Sequence, residues 1–278
     1  MSMKKSAAIR TNHQLRLKAF DLLAKLKKKN VSRHEIVQRI HNEFEIPIGT
    51  AYVWYSGRFV PFGRRGTIEI KPELFYALGA LLGDGCVYNW KTTNYYVILV
   101  GDKRFTKKYA KMLGMCIAQR VKPYIIRSKN VWFVKSNNFE LYSFFKKARE
   151  DPIYLADLMG QQDSRSKILF VEGFFDAEGC VKVIKEKARK TPKICLDMTN
   201  NNLSFLELME KLLKEQLDIE SRYTVQKYKD RKKKTTYHLR IYKKEYVRRF
   251  FDSITTTKLK KKKVVYLQNW LNAKIRAT

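Results

Sequence analysis

The chain has 278 residues, of which 58 are lysine or arginine and 26 are acidic, giving a formal net charge of +32 at pH 7 with 45% hydrophobic residues. This length and apolar content support a buried core, which excludes both a small disulfide scaffold and a disordered polybasic tail. The cationic surplus must lie at the surface, where it favours nucleic acid as the partner.

The first predicted elements are helices. Apolar residues at helical spacing predict a helix over residues 13–29. Ser32 and Glu35 have the spacing of a capping box and predict the start of a second helix. After a turn, Thr50 is expected to open a short third helix that ends at Gly57.

These helices predict a first domain over residues 1–66, with 14 lysines and arginines against four acidic residues. A helix, a turn and a short helix in a basic unit indicate a helix-turn-helix-like DNA-binding unit. A plain three-helix cap with a solvated basic face is the alternative. The DNA-binding candidates at the end of this domain are Arg58, Arg64 and Arg65.

The rest of the chain contains an internal repeat. Residues 75–87 align with residues 169–181 at a constant offset, and each copy is an apolar helix that ends in an acid, Gly, Cys and Val. We therefore predict two halves, residues 67–165 and 166–278, each with the order αββαββα. This predicts an α+β fold with a pseudo-twofold axis, in which each sheet offers one face to helices and the other to a partner.

Hydrophobic alternation and helical spacing place the elements of each half. For the first half the predicted strands are 86–91, 94–100, 121–127 and 130–136, with helices near 103–114 and 138–148. For the second half the predicted strands are 180–188, 193–199, 220–229 and 234–242, with helices near 201–216 and 243–253.

Small residues mark one face of each repeated helix. Gly79 and Gly83 lie four residues apart in the first, as do Gly173 and Ala177 in the second. Residues at this spacing share a helical face, so the two backbones can cross closely there. We expect these four residues to form the packing face between the helices.

If the helices pack in parallel, their last acids, Asp84 and Glu178, meet at the junction between the halves. Two carboxylates repel each other, and each lies at the negative end of a helix dipole, so a bound cation is needed to keep both ionised. Mg²⁺ takes hard oxygen ligands and commonly binds one or two carboxylates plus a substrate phosphate. On so basic a chain, that phosphate belongs to a nucleic-acid backbone.

These motifs resemble those of the LAGLIDADG homing endonucleases in their single-chain, two-motif form. The second motif, residues 171–179, matches strongly, and the first, residues 77–85, has Leu82 where the pattern has an acid. Asp176 therefore has no counterpart in the first motif, and we interpret it either as structural or as a residue that supports the metal ligands without binding the metal. The resemblance covers about residues 70–275.

The resemblance implies a saddle of two sheets on double-stranded DNA, with Asp84 and Glu178 holding Mg²⁺ over the minor groove. It implies an intron-encoded, monomeric hydrolase that cuts both strands and leaves 3′ overhangs. It also implies a basic residue near the metal. Lys260, in the run of residues 258–263, is our choice, with Lys167 as the counterpart in the first half. A DNA-backbone contact is the alternative role for Lys260.

We expect side chains of the strands to recognise the DNA base sequence, because they alternate between the two faces of a sheet and a two-stranded ribbon fits the major groove. A base-edge contact, a phosphate contact and an exposed polar residue are the alternatives for each candidate. The strand candidates are Lys182, Lys185, Arg222, Gln226, His238 and Arg240, and the backbone candidates after them are Lys258 and Lys261.

Cysteine usage and hydrophobicity exclude other classes. The four cysteines include no CxxC pair, which argues against a zinc module or a disulfide framework. The longest mostly apolar stretch, residues 75–83, is far shorter than the ~20 residues that span a bilayer, and neither a lipidation motif nor a basic amphipathic helix indicates a membrane surface. We expect a cytoplasmic, nucleoid-associated protein.

Two other functions fit a basic chain with these motifs. An RNA maturase that assists intron splicing would bind intron RNA with the same surface. A non-cutting DNA-binding regulator would reuse the saddle, but it is expected to lose the motif acids, and both are present here.

Overall fold

The computed structural model describes residues 13–57, 67–90, 94–117, 121–184, 193–227, 234–259 and 261–272. The chain divides into two compact units. The smaller spans Met1–Arg65 with Asn89–Tyr96 and Asn137–Phe139, and the larger spans Gly66–Tyr88, Val97–Ser136 and Glu140–Thr278. The domain boundaries drawn from the sequence stay predictions.

The smaller unit contains three helices, α1 (His13–Lys28), α2 (Arg33–Phe44) and α3 (Ile48–Tyr55). Ser32 caps α2, since its hydroxyl accepts the Glu35 N–H at 3.3 Å. The third helix begins at Ile48, two residues before the predicted start. The reason is Pro47, whose restricted backbone ends the turn and whose carbonyl accepts the Thr50 and Ala51 N–H groups.

Two four-stranded antiparallel sheets follow along the chain, in the orders β1-β2-β4-β3 and β5-β6-β8-β7. The predicted α+β fold with two αββαββα halves is confirmed. The strands are β1 (Gly85–Trp90), β2 (Asn94–Gly101), β3 (Pro123–Ile126), β4 (Val131–Asn137), β5 (Gly179–Ile184), β6 (Lys193–Asn200), β7 (Arg222–Gln226) and β8 (Thr236–Ile241).

Further helices accompany these sheets. They are α4 (Pro72–Asp84), α5 (Lys103–Gly114), α6 (Phe139–Glu150), α7 (Pro152–Gly160), α8 (Ser164–Glu178), α9 (Leu203–Leu217), α10 (Lys244–Ser253) and α11 (Lys261–Asn272). No helix was predicted at α7, although Asp151 caps it by accepting the Tyr154 N–H at 2.9 Å. Among the residues that the structure describes, every helix falls short of the length or hydrophobicity that a bilayer crossing requires.

The second sheet separates an apolar from a polar face. Val181, Leu196, Leu239 and Ile241 are completely buried against the helices. The alternate residues, which pair in register across the sheet, form the opposite face. They are Cys180, Lys182, Cys195, Asp197, Thr199, Arg222, Thr224, Gln226, Thr236, His238 and Arg240.

The two repeated helices, α4 and α8, cross with their backbones in contact. A Cβ at Gly173 would overlap the Tyr76 carbonyl oxygen, and a Cβ at Gly79 would overlap the Phe170 carbonyl oxygen and lie 2.8 Å from the Phe174 nitrogen. Real Cβ atoms do not approach backbone so closely. Nearly the whole of α4, from Leu74 to Leu82, is buried around this crossing.

Gly173→Ala is expected to destabilise the protein by at least ~2 kcal/mol, because overpacking against backbone atoms forces the helices apart. Gly114→Ala is the matched control, since a Cβ at Gly114, the last residue of α5, meets nothing within 4 Å. The free energy of unfolding from urea denaturation measures both variants. Equal stability of the two would show that the crossing tolerates a side chain.

Candidate active site

The crossing of α4 and α8 brings their last residues, Asp84 and Glu178, to one place. Each helix ends at its acid because the next residue, Gly85 or Gly179, turns into an extended strand while its N–H closes the last helical turn. A Cβ on Gly83 would lie 2.8 Å from the Glu178 Cγ, so the side chain of Glu178 packs directly against the end of α4. The two carboxylates of the two repeats are therefore neighbours.

Burial raises the pKa of both acids. Burial raises the pKa of Glu178 to about 7, and the negative charge of Asp84 adds to the rise. The Asp84 side chain reaches solvent, but the protein packed around it still raises its pKa. Two groups act in the other direction: Asn200 Nδ2 donates to Glu178 Oε1 at 2.8 Å, and the Lys258 cation favours ionisation of both acids.

Lys258 is fixed beside the acid pair. Its Nζ donates to the carbonyl oxygen of Ala177, the residue before Glu178, at 2.7 Å. The sequence predicted Lys258 as a DNA-backbone contact and Lys260 as the residue near the metal. Lys260 lies outside the described residues, so Lys258 is the lysine of that run for which the structure shows a position at the acids.

A polar cavity of about 420 Å³ opens beside Glu178. Arg149 lines it and donates from Nη1 to the Gly85 carbonyl oxygen at 2.9 Å, next to the end of α4. Residues 199–202, with three consecutive asparagines, line it as well. Sequence reasoning missed Arg149 and Asn200. The asparagine run directly after a strand is a signal that could have indicated the latter.

A known protein family matches part of the second half of the chain. Residues 166–255 match the family described as a LAGLIDADG-like domain. The chain is similar to two uncharacterized proteins of Methanocaldococcus jannaschii. MJ0398 is 29% identical over 252 residues, covering 84% of this chain and 86% of the relative. MJ0314 is 29% identical over 151 residues, covering 50% of this chain and 56% of the relative.

The fold also matches that of the homing endonuclease I-DmoI, whose structure was solved in complex with DNA and Ca. That match has a TM-score of 0.50 and 18% sequence identity and covers 70% of this chain and 96% of I-DmoI. At this identity the match establishes the fold alone, the same α+β fold that the sequence predicts.

The acid pair, Asp84 and Glu178, fits a hard divalent cation. Within the described ranges, no three His, Cys, Asp or Glu side chains come together as a metal cluster. Mg²⁺ does not need one, because it keeps several waters and often takes only one or two carboxylates from the protein. Two neighbouring carboxylates with raised pKa values and a polar cavity beside them meet this requirement.

The polar face of the second sheet gathers several predicted DNA contacts around one buried carboxylate. Asp197 is 1% exposed and forms an ion pair with Lys182. Arg240 Nε lies 3.4 Å and His238 Nδ1 3.2 Å from Asp197 Oδ1. His238 Nε2 in turn lies 3.4 Å from Gln226 Oε1. These side chains form one hydrogen-bonded network, so they are not independent candidates for contacts with DNA bases.

The remaining candidates divide into three groups. Arg222 is exposed and pairs in register with Arg240. The proposal of Lys167 near the metal is wrong: its Nζ donates to the Gly160 carbonyl at 3.3 Å, at the start of α8, and eleven residues of helix separate it from Glu178, roughly 16 Å. The candidates Lys185, Arg58, Arg64 and Arg65 lie outside the described residues, as does the side chain of Lys261.

Glu178→Gln is expected to stabilise the metal-free protein at pH 8 and to leave its stability unchanged near pH 4. The pKa of Glu178 is about 7 in the folded protein and 4.5 in the unfolded chain. The native state therefore holds the extra proton between these values, and stability falls as pH rises through this window, by on the order of 2 kcal/mol. The glutamine variant does not lose stability in this pH window, because glutamine does not titrate.

The measurement is Tm of both proteins from pH 4 to 8 in EDTA, taken as the difference between variant and wild type so that other titrating groups cancel. Mg²⁺ at pH 8 should raise Tm of the wild type only. A pH-independent difference would show that Glu178 is not strained by burial and by Asp84.

Proposed function

We propose that the protein is a site-specific, Mg²⁺-dependent endonuclease of the intron-homing type that cleaves double-stranded DNA. The observation that carries the proposal is the meeting of Asp84 and Glu178, one acid from each half, with Lys258 beside them. We infer that residues 77–85 form the first motif of a single-chain, two-motif enzyme that acts as a monomer. I-DmoI, a homing endonuclease whose structure was solved with DNA and Ca, has the same fold, which supports this assignment.

Each residue of the proposed site has a separate role in phosphodiester hydrolysis. Asp84 and Glu178 would hold Mg²⁺, and Asn200 orients Glu178 through its amide. When bound, Mg²⁺ supplies activation of water and neutralisation of charge on the leaving oxygen. Lys258 places a further positive charge where the phosphate gains negative charge. The cavity at Arg149 offers a guanidinium to a phosphate oxygen.

Double-stranded DNA is the partner that the charge distribution favours. The net charge of +32 attracts a polyanion. The polar face of the second sheet carries side chains that suit base edges, namely Arg for guanine and Gln for adenine. Cleavage of one site in both strands follows from one acid per half, and we propose staggered ends with 3′ overhangs.

Asp84→Asn and Glu178→Gln are expected to bind the target duplex as the wild type does but to cut it at least ~1,000-fold more slowly, because removal of a ligand charge weakens Mg²⁺ binding. The target is first recovered by selecting cleaved molecules from a randomised duplex library with the wild type in Mg²⁺. Gel electrophoresis then measures cleavage, and fluorescence anisotropy in Ca²⁺ measures binding.

Asp157→Asn is the matched control, since Asp157 is an exposed carboxylate of α7, outside the acid pair. It should cut like the wild type. Cutting by both active-site variants would remove the proposed site. Tight binding of intron RNA, with splicing assistance and without DNA cleavage, would instead establish the maturase function.

We further propose that the helical unit of residues 1–66 binds DNA. Lys28 and Lys29, at the end of α1, are exposed. Replacing both by Gln in the full chain should reduce the slope of log K against log salt by about two, because each phosphate contact contributes about 0.9 to the slope. Anisotropy titrations at several salt concentrations measure the slope.

Arg39→Gln is the control for this measurement. The Arg39 charge is already paired with Glu43 at 2.5 Å, so its loss should change the slope little. An unchanged slope in the double lysine variant would assign the three helices a structural role only.

A further inference from the structure

Asp176 is a buried acid of α8 whose carboxylate accepts four hydrogen bonds. It is completely buried, two residues before Glu178. Its Oδ2 accepts hydrogen bonds from the Tyr76 hydroxyl at 2.8 Å and from Lys108 Nζ at 2.9 Å. Its Oδ1 accepts from Thr256 Oγ1 and from the Thr257 N–H, both at 2.6 Å. The carboxylate thus joins α4, α5 and the segment of residues 255–258, which lies between α10 and α11.

Glu172, one helical turn earlier, holds the same segment. Glu172 Oε2 accepts the Thr255 N–H at 3.1 Å, and Glu172 Oε1 pairs with Lys108 Nζ at 2.7 Å. Lys108 also donates to the Thr255 carbonyl oxygen. Segment 255–258 is therefore anchored on α8 by two buried carboxylates and by the Lys108 ammonium group that pairs with both.

The anchor continues directly to Lys258. Thr256 Oγ1 donates to Asp176 and accepts the backbone N–H of Lys258 at 3.1 Å. The Lys258 ammonium, at the other end of its side chain, donates to Ala177 O beside the acid pair. One hydroxyl thus links the buried carboxylate to the backbone of the lysine that acts on Asp84 and Glu178.

We infer that Asp176 is a positioning residue: through the Thr256 hydroxyl it fixes segment 255–258 so that the Lys258 ammonium lies beside Asp84 and Glu178. The inference rests on the proposed endonuclease function and assigns a task to an acid for which the sequence gives no counterpart. The positions of α4 that correspond to Glu172 and Asp176 are Leu78 and Leu82. An anchor of this kind is therefore built only on the second of the two repeated helices.

Thr256→Val tests the link, because valine keeps the shape of the buried threonine and removes its hydroxyl. We expect the single-turnover cleavage rate of the selected duplex to fall about tenfold, as in Lys258→Ala, with affinity for the duplex in Ca²⁺ unchanged. Thr256→Ser, which restores the hydroxyl, should recover most of the rate. Thr256→Ala replaces the valine variant if that variant does not fold.

The double variant Thr256→Val with Lys258→Ala separates positioning from structural support. If Thr256 acts through Lys258, the double variant cuts no more slowly than Lys258→Ala alone. If the two losses multiply, Thr256 supports the fold independently of Lys258, and the inference is overturned. A cleavage rate of Thr256→Val equal to that of the wild type overturns it as well.

A second readout does not depend on cleavage. Mn²⁺ binding to the DNA-free protein, measured by electron paramagnetic resonance, should tighten about threefold in both Thr256→Val and Lys258→Ala, because a cation beside the acid pair repels the metal. Equal tightening in a protein that never cuts DNA would refute the endonuclease proposal and uphold the positioning role. Tightening in Lys258→Ala alone would refute the positioning role.

Discussion

The contact of backbone with backbone at Gly79 and Gly173 is the constraint on which the rest of the structure depends. Because neither glycine has a side chain, α4 and α8 approach until carbonyl oxygens occupy the space of a Cβ. Close packing then fixes where both helices end, and the two motif acids meet although 94 residues separate them along the chain. The two sheets begin immediately after these acids, so the same crossing also sets where each sheet starts.

Holding two neighbouring, partly buried carboxylates destabilises the metal-free fold. Nearby polar groups reduce this cost but do not remove it. An amide from β6 and an ammonium from the segment after α10 partly offset the raised pKa of Glu178. Placing charged groups in unfavourable surroundings is typical of functional sites, because the missing interaction is supplied by the ligand. The unfavourable burial of these two carboxylates is thus typical of a site that is stabilised when a cation binds.

The sequence predicted those features that depend on the spacing of residues close together in the chain. Periodicity located the repeat and almost every helix and strand, and glycine spacing predicted which faces of the motif helices meet. It did not predict the position of Lys258, because a buried carboxylate on another element determines it. Arg149 reaches the site by tertiary packing alone. Lys167 was chosen as the repeat counterpart of the later lysine run, although it lies at the start of α8 and Glu178 at its end.

The network around Asp197 has a consequence for how such a protein could acquire a new recognition site. Lys182, His238 and Arg240 all contact the same buried carboxylate. Exchange of one of these residues leaves the carboxylate its remaining partners, whereas loss of both cations, Lys182 and Arg240, leaves an unpaired buried charge that costs several kcal/mol. If this face contacts DNA bases, as proposed, a single exchange is therefore compatible with folding while Asp197 keeps one cation, whereas replacement of both Lys182 and Arg240 requires replacement of Asp197 as well.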